Sequence, residues 1–134
     1  MSLKIVLLVV SLIVSVLFIA NIVKANDSFP NDENGNVLRQ MQKRGDDLTK
    51  PRNIDFIVVL PNEENAEKLA NHFQSLGYKT TIANSNTVKT LPWDVSVVKN
   101  MVPTHTDITN FEQELANIAT SLGGRNDGWG SFVQ

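Results

Sequence analysis

The sequence predicts an α+β domain of the ferredoxin-like, split βαβ type: a four-stranded antiparallel sheet, preceded by a short helix and an N-terminal apolar helix. Three observations predict it. From Arg52 onward, strand-like and helix-like periods alternate in the order β-α-β-β-α-β. The two helical segments each carry one apolar stripe, and one face of a sheet can cover both. Prolines and glycines punctuate the segments where turns are needed.

The first strand shows Ile54, Phe56, Val58 and Leu60 alternating with Asp55, Ile57 and Val59 until Pro61 stops it. Asn62 is a natural N-cap, with Glu63 and Glu64 suiting the positive end of the helix dipole. Ala66, Leu69, Ala70, Phe73 and Leu76 then form a helical stripe closed by Gly77. Residues 78–83 (YKTTIA) read as a short β-branched strand, followed by a turn cluster at 84–87. Residues 93–102 alternate again, with Trp93, Val95, Val97 and Met101 on one face and Asp94, Ser96, Val98 and Asn100 on the other. Pro103 ends this strand, and Thr106 or Asp107 is expected to cap a second helix with the stripe Ile108, Phe111, Leu115, Ile118, Ala119 and Leu122. Gly123 and Gly124 close it, and residues 127–133 (DGWGSFV) supply a last strand. With both helices on one side, the other side of the sheet is left with Ile57, Val59 and Val98 among Asp55, Ser96 and Asn100. That half-apolar face needs the front helix, a second copy or a partner.

The chain divides into residues 1–25, 26–50 and 51–134. The run that begins at Ile5 and ends at Val23, IVLLVVSLIVSVLFIANIV, has only Ser11, Ser15 and Asn21 as polar members. A helix rising about 1.5 Å per residue would carry it across a hydrocarbon core of ~30 Å. Its length exceeds the roughly 7–15 residues of a signal-peptide core. A single-pass membrane anchor is therefore favoured over a secretory signal cleaved near Ala25. Lys4 and the terminal amine favour a domain outside the cytoplasm, whereas Lys24, Arg39, Lys43 and Arg44 favour one inside, so orientation stays open. Residues 26–34 read as a polar spacer containing Pro30. Val37, Leu38 and Met41 mark a helix of about three turns, with Asp32 and Glu33 suiting its start and Gly45 its end.

Composition excludes several chemistries. The 134 residues carry a net charge of −2 with the signs interspersed, so no basic stripe exists to track a phosphate backbone and no direct nucleic-acid binding is expected. With no cysteine and two histidines, a zinc site would have to recruit carboxylates, and no metal site is expected. The sequence has no P-loop, no dinucleotide-type glycine pattern and no nucleophile elbow, so no cofactor is expected. His72 lies on the first core helix, where a packing role is the simpler reading. His105 could serve a small enzyme only if Asp107 or Asp127 joined it. Asp46 and Asp47 fit a loop role, satisfying the preceding turn. Trp129, between Gly128 and Gly130, suits either a plug at the end of the core or a binding anchor.

Gly45-Asp46-Asp47-Leu48, Lys50-Pro51-Arg52 and the closing Gly124-Arg125-Asn126-Asp127-Gly128-Trp129-Gly130 together resemble the regulator of ribonuclease activity B family, the ribonuclease E inhibitors. The resemblance runs from about Val37 to Phe132. It implies a ferredoxin-like fold and a non-enzymatic role, binding the ribonuclease and altering which RNAs are cut. It marks Asp46, Arg52, Asp127, Gly128, Trp129 and Gly130 as motif positions, either contacts or fold-keeping residues. The apolar N-terminal run departs from the family's best-known soluble members. The leading expectation is thus a protein-binding regulator held at a membrane, with ribonuclease E as its partner. A periplasmic protein-interaction module unrelated to RNA decay is the first alternative, and the small enzyme built on His105 the second.

Overall fold

The computed structural model describes residues 29–132. Their elements are α1 (Glu33–Lys43), β1 (Arg52–Leu60), α2 (Glu63–Ser75), β2 (Lys79–Asn84), β3 (Trp93–Met101), α3 (His105–Ser121) and β4 (Arg125–Gly130). The strands form one sheet in the order β2-β3-β1-β4, antiparallel throughout. This is an α+β fold in which α2 carries the chain from β1 to β2 and leaves room for β3 between them.

Alternation in β1 and β3 decides which side is buried. Ile54, Phe56, Val58, Leu60, Val95 and Val97 are fully buried and face the helices. They meet Ala66, Leu69 and Phe73 of α2 and Ile108, Phe111, Leu115 and Ala119 of α3 in a single cluster. Phe111 stands edge-on to Phe56 at 4.7 Å and to Phe73 at 6.0 Å between ring centroids, so sheet and both helices converge on one ring. Full burial of each such side chain stabilises by about 1.5–3 kcal/mol before chain entropy is subtracted.

The three helices start on capping side chains. Asp32, Asn62 and Thr104 accept from the backbone N–H three residues on. Each helix also ends in the same way. Gly45, Gly77 and Gly123 take φ of 87°, 92° and 76°, a region that costs other L-residues and lets the chain reverse. At α1 the Gly45 N–H donates to Gln42 O and the Asp46 N–H to Met41 O, which is the Schellman pattern.

Several sequence expectations are corrected. The polar spacer stops sooner than residue 34, because Asp32 already caps α1. Thr104, not Thr106 or Asp107, caps α3: the proline-bounded segment places its side chain on the Asp107 N–H at 3.1 Å. Leu76 leaves the α2 stripe as the C-cap and is 54% exposed. β4 begins at Arg125, two residues early, and stops at Gly130. The front helix does not cover the open sheet face. It packs beside α3 and sends Leu38 into the common core. Val59, expected on the open face, is 1% exposed, with Asp94 and Arg125 as its cross-strand neighbours there. The apolar run from Ile5 lies outside the described residues. Among the described residues no helix is long and apolar enough to cross a membrane.

Candidate functional site

The motif residues fall into two groups along β1. Arg52 opens the strand, whereas Asp127 sits beside its middle, between the partners of Ile57 and Val58. At about 3.3 Å per residue the two lie roughly 17 Å apart, so they do not share one site.

In the first group, the Schellman turn after α1 directs Asp46 inward. Arg52 Nη1 donates to both Asp46 carboxylate oxygens at 2.7 Å. Arg52 Nη2 donates to Asp47 O at 2.6 Å and Nε to Lys50 O at 3.3 Å. The two side chains are 1% and 0% exposed, so the pair ties the loop between α1 and β1 and presents nothing to a partner. Asp47 is exposed, and its side chain accepts from the hydroxyl and N–H of Thr49, which holds its carboxyl below the usual carboxylate range.

The second group is built by a β-bulge. Ile57 faces Gly128 but Val58 faces Asn126, so Asp127 is the extra residue on β4. Gly128 takes φ 112°, which permits the kink. The bulge resets the period of two. Asn126 pairs with Val58 and Trp129 with Phe56, so both point to the helix side although they are three residues apart. There Asn126 Nδ2 donates to Glu112 Oε2 at 2.5 Å, and Trp129 Nε1 donates to Asn34 Oδ1 at 2.8 Å. Asn34 closes the circuit through Nδ2, which donates to Glu112 Oε1 at 2.6 Å and Thr109 Oγ1 at 3.2 Å. Asn34, Glu112, Asn126 and Trp129, from α1, α3 and β4, are thereby linked at the edge of the core, with Asn126 Oδ1 buried and left without a hydrogen-bond partner among the described residues.

Outside this circuit lies a shallow groove of about 740 Å³ between α1, α3 and β4. Its rim is mainly acidic (Asp32, Glu33, Asp127), with Arg125 3.6 Å from the Asp127 carboxylate. His105 Nε2 meets the Asp32 carboxylate at 2.8 Å. The Gly35 N–H is the main cause that holds the Asp32 carboxyl below its ordinary value, with His105 and Arg39 adding to it. His105 thus pairs with Asp32, not with Asp107 or Asp127, and the pairing fastens the start of α1 to the start of α3. A histidine–carboxylate pair needs a nucleophile or a bound water to do chemistry. Among the described residues no group of histidines and carboxylates could hold a metal ion.

The family model for regulator of ribonuclease activity B matches residues 31–131, from the residue before the α1 cap to just past β4. The chain belongs to the regulator of ribonuclease activity B family. No curated protein matches it by sequence. The matched span takes in the buried Asp46–Arg52 pair and the Asp127–Gly130 bulge of this family member. Within the motif, Asp46, Arg52 and Gly128 have fold-keeping roles, and Trp129 plugs the core edge while holding α1. Gly130 has no such role. A Cβ built on it meets nothing within 4 Å, and its φ lies outside the left-handed region.

Sequence reasoning missed Asn34, Glu112 and the inward turn of Asn126. Asn34 sits among other polar residues at a helix start, and Glu112 flanks an apolar stripe like any surface glutamate, so neither gave a signal. Gly128 and Gly130 interrupt the last strand in the sequence, and the bulge falls at Gly128.

Proposed function

We propose that the protein is a non-catalytic regulator that binds ribonuclease E and alters RNA decay while held at the cytoplasmic face of a membrane. The observation that carries this reading is the family match over nearly all of the described fold. The net charge of −2 and the acidic rim of the groove favour a protein partner over RNA itself. The run from Ile5 to Val23 supports the anchor. Arg39 Nη1 donates to the carbonyls of Phe29 and Pro30 at 2.8 and 3.2 Å, which ties residues 29 and 30 to α1.

The test is retention of ribonuclease E on the immobilised full-length chain, alongside RNA half-lives in cells that lack or overproduce it. Retention with altered half-lives is expected. No retention together with unchanged half-lives would remove the ribonuclease reading. Lys4 ahead of the apolar run favours the second reading, a periplasmic interaction module. A reporter fused after Gln134 separates the two, because activity only outside the cytoplasm puts ribonuclease E out of reach.

A further inference from the structure

The open side of the sheet carries a second groove, of about 400 Å³, whose floor is made by missing side chains. Gly128 and Gly130 of β4 lie across from Ile57 and Asp55 on that face. A Cβ at either glycine would meet nothing within 4 Å. The bulge explains Gly128, but nothing in the fold requires glycine at position 130. Its effect is to leave bare backbone beside half-buried Ile57. Phe132, 84% exposed, stands at one end, and Asp55 and Asp127 line the groove. Asp127 is partly balanced by Arg125 at 3.6 Å. Asp55 is exposed, and its side chain receives one long hydrogen bond, from Ser96 Oγ at 3.3 Å.

We infer that this groove is a docking surface for a protein segment in which lysine or arginine alternates with apolar residues. An apolar side chain would lie on the glycine floor against Ile57 and Phe132, and a cationic one would reach Asp55. Charge selects this occupant. A nucleic acid or an acidic peptide would bring negative charge against the carboxylates, and a second copy docked by two-fold symmetry would set this acidic patch against itself. The inference rests on the protein-binding reading above and names the chemistry of the partner's segment.

The test uses the ¹⁵N-labelled full-length chain in detergent micelles. The probes are a synthetic peptide alternating arginine with leucine and its counterpart with glutamate in place of arginine. The arginine peptide is expected to shift the amide signals of Ile57, Gly130 and Phe132 saturably, and the glutamate peptide to leave them in place. Gly130→Val, which fills the floor, and Phe132→Ala, which lies beyond the strand, are each expected to weaken binding about tenfold with Tm unchanged. Asp55→Asn is expected to weaken it less and to flatten its salt dependence. Equal shifts from both peptides, shifts elsewhere, or unchanged binding by Gly130→Val and Phe132→Ala would overturn the inference. Arginine-peptide binding here without retention of ribonuclease E would sink the ribonuclease reading and leave the groove standing. Retention undiminished by Gly130→Val and Phe132→Ala would do the reverse.

Discussion

Gly128 and Gly130 stand two positions apart on one strand and should respond differently to the same change. Gly128 holds φ 112° at the bulge, so Gly128→Ala is expected to cost about 1–2 kcal/mol in urea unfolding. Gly130→Ala, with open space and no left-handed φ, should leave stability within about 0.5 kcal/mol. Equal losses at both would contradict the assignment of the bulge. Arg52 offers a stronger contrast. Arg52→Ala strands the buried Asp46 carboxylate and should cost about 3–5 kcal/mol, whereas Arg52→Met with Asp46→Leu should recover much of it. Failure of the double variant to recover would mean the loop depends on the charge itself. Asp32 gives the pH test. Its carboxyl is depressed, so its contribution to stability is complete above the ordinary carboxylate range and is lost as pH falls through the lowered value. Because the Gly35 N–H is the larger cause, His105→Ala should raise the Asp32 pKa only part of the way back in a carbon-13 carboxyl titration. Full return would assign the depression to His105.

Elements were legible where one period ran unbroken between strong stops. Asn62 and Gly77 bracket α2, and the stripe from Ala66 to Phe73 is buried as the spacing required. The start of α3 was not legible, because Thr104, Thr106 and Asp107 can all cap and only the observed path after Pro103 selects the first. β4 was half legible. A bulge breaks the alternation from which facing is read, so Asn126 and Trp129 both turning inward could not be deduced from spacing. α1 was recognised as a helix, but its docking was not, since one deep apolar contact, Leu38, is too little signal. That contact makes a test at this scale. Leu38→Ala should cost about 2–5 kcal/mol if α1 belongs to the common core. A loss below about 0.5 kcal/mol in urea unfolding would mean that α1 is only a spacer.

At the scale of the whole molecule, the circuit of Asn34, Glu112, Asn126 and Trp129 binds the first described helix to the last strand. α1 is therefore fastened to the sheet edge as well as to the core, and Arg39 ties residues 29 and 30 to it. The family fold and most of its motif serve this framework, which leaves the open sheet face, with its glycine floor, as the surface least explained by folding. The account's central claim is that the protein acts by binding ribonuclease E and performs no chemistry on RNA. The most direct measurement is the rate of RNA cleavage by purified ribonuclease E as the full-length chain is added in detergent. The rate should change saturably with the chain, and the chain alone should leave the RNA intact. An unchanged rate at saturating chain, or RNA cleaved by the chain alone, would contradict the account.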